Sequence, residues 1–270
     1  MKSESSPPVR WLPGQTALGR VLWGLVVLAM LVALFYLEET WRGKRAWERC
    51  RAAMLGQGVR FDFGAYVPRP VPDESNFAMT PFLAPLYDFI PGTQTHRDTN
   101  ADKRIVERND GPIELAKKWG FQINGENAGR WEKSQTTDLL ALLGTYDSFA
   151  PPAEPDMDRP ARPTNQTQAA AMLLDIFQRT YDPVLEELRE ASRRPYCRFN
   201  VPYDTVPVVG ILLPHLAIMK SIVQKVSWRA SAELALGKTN EAFADLLLGL
   251  YLSDSIKDEP FLISHLVHIA

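Results

Sequence analysis

Two clusters have side chains of the type and spacing that hold metals. His265 and His268 stand three residues apart, so on a helix both imidazoles lie on one face and reach one ion. No His-Glu-x-x-His or Glu-x-x-His accompanies them, and a third ligand would have to come from elsewhere. Asp98, Asn100 and Asp102 place oxygens at alternate positions, as the opening of a calcium loop does, with Ile105 in the usual apolar place. The glycine such a loop needs at its sixth position is Lys103, and the bidentate glutamate at its twelfth is Asn109. Arg97, Lys103 and Arg104 also crowd the site with positive charge. Both metal sets are incomplete. Packed or surface histidines and a solvated polar turn explain them more simply.

Ala232–Thr239, AELALGKT, matches a relaxed phosphate-loop pattern with Ala in place of the first glycine. That chemistry needs a strand feeding a glycine-rich loop whose amides cradle phosphate. Here the preceding residues have helical character and Gly237 is the loop's single glycine. A helix-closing glycine followed by a cap at Thr239 or Asn240 fits better. No Gly-x-Ser-x-Gly, Cys-x-x-Cys or Gly-x-Gly-x-x-Gly occurs. Asn165-Gln166-Thr167 fits a glycosylation acceptor, a tripeptide too common to carry weight. No catalytic residue stands out and no cofactor is expected. If the chain were an enzyme or ligand binder, its site would lie in the Asn/Asp/Gly-rich stretch 92–130 or at His265 and His268.

The element that everything else follows is Val21–Leu37, an apolar run without a charged residue. At ~1.5 Å per residue it makes about 26 Å of helix, close to the ~30 Å hydrocarbon core. Including Thr16–Arg20 makes up the difference, since Arg20 can snorkel to the headgroups. Trp11, Trp23, Tyr36, Trp41 and Trp47 lie near its ends, as interfacial rings do. The run ends in Phe35–Trp41 without a small-x-small cleavage triplet, which points to an uncleaved signal anchor. The Lys/Arg bias, with Arg42, Lys44, Arg45, Arg49 and Arg51 on the C-terminal side, favours a cytoplasmic bulk. Long domains translocate regardless of charge, and a short tail ending in Arg20 favours export, which is the orientation expected here.

The 270 residues carry a net charge of −2, so no global field points to nucleic acid. The two cysteines, Cys50 and Cys197, have no spacing that demands a bond, and free thiols are expected. Residues 1–15 read as a disordered tail. Residues 38–57 read as a basic juxtamembrane helix whose cations either meet lipid phosphates or only set topology. Residues 58–149 read as a strap in extended geometry, with short helices at Ile113–Trp119 and Ser134–Leu143, the latter capped by Thr136 or Thr137. Pro68, Pro70 and Pro72 impose that geometry, and Phe61, Phe63, Tyr66, Phe77, Phe82, Tyr87 and Phe89 stud it for packing on a helical body.

WRGKRAWE at 41–48 followed by VPRPVPDESNFAMTPFLAPLYDF at 67–89 resembles a family of uncharacterised, single-pass, membrane-anchored bacterial proteins. The resemblance implies location and architecture and brings no catalytic residue with it.

Residues 150–163 read as a Pro/charge-rich linker. Beyond it, 164–270 reads as an α-helical hairpin domain. Helices are expected at Gln166–Tyr181, Val184–Arg193 with Asp182 as cap, Leu213–Leu236, Asn240–Ile256 and from Pro260 onward. Val223–Ile256 resembles one tetratricopeptide-type hairpin, with Ala230, Ala242 and Gly249 at the close approaches, Gly237 at the turn and Leu246 near the bulky position. Val226, Arg229, Glu233 and Asp254 depart from that pattern, and no second copy is visible. The last helix is still apolar at Ala270, so the chain is expected to continue. The fold class is therefore mainly α: a transmembrane helix, a Pro/aromatic strap, then helical hairpins. The expected role is a non-enzymatic scaffold or interaction module with a protein partner on the helical region. No small-residue pattern presses the membrane helix itself into assembly.

Overall fold

A long apolar stretch with no acid, base or proline gives the backbone no reason to leave the α-helix, and the computed structural model shows it does not. The structure describes residues 17–129, 133–145, 160–204 and 207–269. The expected tail 1–15, and the linker 150–163 except for 160–163, lie outside them. Helix α1 runs unbroken from Ala17 to Gly56, so the apolar segment and the basic juxtamembrane segment form one rod. The side chains of Val21–Leu37 are exposed all round, and α1 is the one helix among the described residues long and apolar enough to cross a membrane. Along the basic part, Arg42 reaches Glu39 at 3.6 Å and Arg45 lies 4.6 Å over the Trp41 ring. The rod stops at Gly58, whose φ of +85° lets Val59 donate back to the Met54 carbonyl at 3.0 Å.

Residues 66–270 form a second compact unit. The strap is not extended for long. It coils into 3-10 turns at Asp73–Ser75, Phe77–Met79 and Ala84–Tyr87, each closed by its own short backbone bonds. Phe77, Phe82, Leu83, Leu86 and Tyr87 are buried, whereas Phe61 and Tyr66 stay exposed. Asn76 fastens the strap: its side chain donates to the Arg198 carbonyl and accepts from the Arg198 N–H, both at 2.8 Å.

Helices α2 (Ala101–Asn109) and α3 (Gly111–Lys118) follow, the first unexpected and the second begun by Pro112 within its first turn. The helix expected over Ser134–Leu143 is confined to α4, Leu139–Leu142, because Asp138 rather than Thr136 or Thr137 caps it, accepting from Leu140 and Ala141 N–H. The chain then straightens into β2 (Leu143–Thr145), antiparallel to β1 (Phe121–Ile123), with Phe121 opposite Thr145 and Ile123 opposite Leu143. Phe121 and Leu143 are buried with Ala116, Trp119 and Ile176, and this apolar cluster holds the pair in place.

The remaining helices are α5 (Gln166–Thr180), α6 (Asp182–Ala191), α7 (Pro214–Ala235), α8 (Thr239–Asp254) and α9 (Leu262–Ile269). Asn165 caps α5, accepting from Gln168 N–H. The caps expected from Asp182, Thr239 and Asn240 are not made: Tyr181 and Lys238 occupy those positions without a side-chain bond. Helix α9 begins two residues after Pro260. Helices α7 and α8 form an antiparallel-type hairpin about Gly237, whose φ is +73° and beside which Lys238 N–H returns to the Glu233 carbonyl at 2.9 Å. Ala230 and Ala242 are fully buried in it. A Cβ added at Gly249 would only reach ordinary contact with Val226, so that glycine is not required by space.

Gly237→Ala forces a side chain into the left-handed region and should lower unfolding free energy by about 1 kcal/mol. Asn165→Ala, by removing a cap bond, should do the same by about 1 kcal/mol. Urea denaturation in detergent checks both; Gly249→Ala should change little.

Candidate functional site

The chemistry-bearing side chains of the folded unit converge on one helix. Ser221, Lys225, Arg229 and Glu233 are spaced by four along α7 and therefore share a face. Lys225, Glu233 and, facing them from α8, Asp245 are buried.

The densest cluster joins α6, α7 and α8. Asp245, 0% exposed, accepts from Arg229 Nη1 at 2.7 Å through one oxygen and from Arg189 Nη2 through the other. Arg229 also reaches Glu233 at 3.2 Å and Asp182 at 3.5 Å, and Arg189 reaches Glu186 at 2.8 Å. Two guanidiniums thus face four carboxylates. Glu233 bears the cost: burial first, then the charge of Asp245, push its carboxyl up to about 7, against the opposing pull of Arg229 and Arg189. Its Oε2 has no hydrogen-bond partner among the described residues. A carboxyl near neutrality is what a general acid or base needs. It sits here between helices, 2% exposed.

Lys225 is 1% exposed. Its ammonium bonds Ser221 Oγ at 2.6 Å and lies 3.6 Å from Asp110. Burial pulls its pKa down, and Asp110 pulls the other way. Asn109 donates to Ser221 Oγ at 3.0 Å and accepts from the Tyr181 hydroxyl at 3.0 Å, closing a polar knot between α2, α5 and α7. A lysine of lowered pKa can act as a nucleophile, but this one is buried and already engaged by Ser221 and Asp110.

The third cluster sits at the start of α7. The Tyr87 hydroxyl is 2.5 Å from His215 Nδ1, and His215 Nε2 is 2.7 Å from Glu259 Oε1 without the alignment of a hydrogen bond. Ser264 Oγ donates to Glu259 Oε2 at 2.5 Å. Phe199 stacks on the imidazole at 4.1 Å between centroids. The residue types suggest a hydrolytic triad, but the serine bonds the carboxylate rather than the imidazole, so nothing activates it as a nucleophile. Burial, then the Glu259 charge, push the Tyr87 hydroxyl far above its ordinary pKa. The cluster acts as a clasp between strap, α7 and α9.

The residues singled out by sequence are not brought together. His265 is exposed, and His268 Nδ1 lies 2.9 Å from the Ser253 carbonyl. Asp98 accepts from Arg104 at 2.5 Å and from Asn100 N–H at 2.9 Å, bonds that hold its carboxyl below the usual range. Asp102 pairs with His96 at 3.2 Å, and Asn100 occupies the N-cap position of α2. The stretch read as a calcium loop is thus the start of a helix whose carboxylates are engaged. Among the described residues no group of three or more His, Cys, Asp or Glu side chains is placed to hold a metal. The phosphate-loop match fails on its own requirement, because a helix precedes Gly237 where a strand is needed. Cys50 and Cys197 are free, and burial pushes the Cys197 thiol up to about 12.

Two depressions mark the surface around α7. One, about 60 Å³, lies among Met219, Lys220, Val223, Leu252, Ile256 and Val267. The other, about 580 Å³ and open to solvent, is lined by Thr136, Thr137, Asp138, Gln166, Ser231 and Leu234. Neither is lined by His215, Lys225, Glu233 or Asp245. What the helices do present is apolar. Phe243, Leu247 and Leu250 of α8 are 62%, 50% and 67% exposed at a spacing of i, i+4, i+7. Leu262, Leu266 and Ile269 repeat that spacing on α9. Between Glu241 and Asp254 the one charged residue of α8 is Asp245, which is buried, so its outer face carries no charge.

A carboxyl with a raised pKa keeps, in the folded chain, a proton that the unfolded chain releases near pH 4.5. The Glu233 contribution to stability is therefore greatest in acid and falls as pH rises from about 4.5 to about 7. Glu233→Gln should flatten the stability-pH profile in that window, as measured by urea denaturation. Asp245→Ala, which takes a buried carboxylate away from two half-buried guanidiniums, should cost about 2–3 kcal/mol by the same measurement.

No family model, no curated protein and no solved structure matches this chain.

Proposed function

We propose that the protein is a non-catalytic, membrane-anchored interaction module of the bacterial cell envelope. It crosses the inner membrane once through Val21–Leu37, exposes its bulk outside the cytoplasm, and offers α8 and α9 to a protein partner. The observation that carries this reading is the inversion of the usual active-site pattern. The acid, base and nucleophile candidates are sealed between helices, while six large apolar side chains on α8 and α9 face outward.

Soluble monomers seldom leave large apolar patches uncovered, and stripes at i, i+4, i+7 such as those on α8 and on α9 are the form in which helices dock on one another. The α7–α8 hairpin, of tetratricopeptide-like character, supports the same reading, since such hairpins present helix faces to partners. The anchor rests on the length and composition of α1 and on the cation at Arg20 before it.

A photo-crosslinking side chain placed at Phe243, Leu247 or Leu250 in living cells should give a discrete heavier species, and one at exposed Arg193 should not. Leu247→Asp should reduce the adduct at Phe243 several-fold. Absence of any adduct, in cells where the chain remains membrane-bound through alkaline carbonate, contradicts the interaction reading. Release of the chain by carbonate contradicts the anchor instead.

A further inference from the structure

Pro207–Pro214, PVVGILLP, leads into α7 without one charged or hydrogen-bonding side chain. Turns that need only reverse the chain in water use Gly, Asn, Asp and Ser; this one is built of valine, isoleucine and leucine. Val208–Gly210 closes a 3-10 turn in which Gly210 N–H donates to the Pro207 carbonyl at 2.7 Å. Val209 at its tip is 99% exposed, and Val208, Leu212 and the neighbouring Ile90 are also exposed.

The loop is held rigidly in this pose. Gln94 Nε2 donates to the Gly210 carbonyl at 2.8 Å, and Leu212 N–H donates to Gln94 Oε1 at 2.7 Å. Gln94 is itself fixed in a tight loop, where Ile90 N–H donates to the Thr95 carbonyl at 2.8 Å. One side-chain amide therefore satisfies a backbone donor and a backbone acceptor beside the apolar tip. Pro207 and Pro214 have no N–H to satisfy. Water would meet those backbone needs at no cost, whereas a hydrocarbon boundary cannot.

We propose that the Val208–Leu212 loop inserts shallowly into a lipid bilayer, to the headgroup–acyl boundary about 5–10 Å deep. Three observations select lipid over protein. The tip is a convex projection rather than a groove. Its four exposed side chains fall well short of the ~800 Å² that each partner buries in a standard protein interface. The Gly210 carbonyl and the Leu212 N–H beside it are already paired for an apolar medium. The inference rests on the anchored reading for the nearness of a bilayer, since tethering raises the local concentration at which a small apolar loop must bind.

The test uses the full chain with Cys50→Ser, Cys197→Ala and Val209→Cys, labelled at residue 209 with an environment-sensitive fluorophore. It is reconstituted in phosphatidylcholine–phosphatidylglycerol vesicles containing doxyl-labelled lipid. A parallel preparation carries the label at Met30→Cys to report on α1. The label at 209 should shift to the blue and be quenched more by doxyl groups near the headgroup than by deep ones. Adding Gln94→Ala should weaken that quenching several-fold. An unquenched, water-like label at 209 beside a quenched label at 30 overturns the loop proposal and leaves the anchor standing. Quenching at 209 with none at 30 supports insertion while removing the anchor. A blue shift that grows with protein density but escapes doxyl quenching means a second copy covers the tip, and also overturns the proposal.

Discussion

The Asp245 carboxylate, closed between Arg189 and Arg229, is the interaction on which the arrangement of the folded unit depends. Each of its oxygens takes a guanidinium from a different helix, so one buried side chain of α8 ties α6 and α7 together. A buried ion pair adds little net stability, because desolvation offsets most of the Coulombic gain. Its loss is expensive, and so it selects one helix register over others. Buried apolar side chains of these helices, such as Leu185, Leu188, Val226 and Leu248, would tolerate sliding; two guanidiniums aimed at one carboxylate would not.

The same logic repeats along α7. Lys225 meets Asp110 and Ser221 one turn before Arg229, and His215 meets Tyr87 and Glu259 near the first turn. Helix α7 thus has buried polar stations against the strap, against α2 and α5, and against α6 and α8. Such a helix is a spine. Its charged groups are engaged in positioning neighbours, and a glutamate of raised pKa and a lysine of lowered pKa both lie buried along it. With its polar groups turned inward, the unit leaves uncharged leucine, isoleucine and phenylalanine exposed on α8 and α9.

Much of this architecture was legible from the residues. The apolar run of α1, the Asn165 cap and the Gly237 turn are local signals that tertiary context did not override. The burial of Phe77, Phe82 and Tyr87 followed from aromatics alternating with prolines, although the chain between them coils into 3-10 turns where proline geometry suggested an extended path. The small strands were hidden because each is three residues long and is held by the buried cluster that Phe121 and Leu143 share with Trp119 and Ile176. The buried charges were hidden for a different reason. On a helix, Lys225 and Glu233 read as a solvated face, and their partners Asp110 and Asp245 announce themselves only once the chain is folded. The one available clue was the spacing of four from Ser221 to Glu233, which places polar side chains on one face of a helix whose other residues are mainly apolar. The histidine pair and the Asp98–Asp102 stretch misdirect for the converse reason: regular spacing without the geometry of a site.

Amide hydrogen exchange on the intact chain in vesicles, wild type against Asp245→Asn, tests the organising role of this carboxylate most directly. The account predicts faster exchange in α6, α7 and α8 together, with α1 unchanged. Acceleration confined to α8, or none, would contradict it.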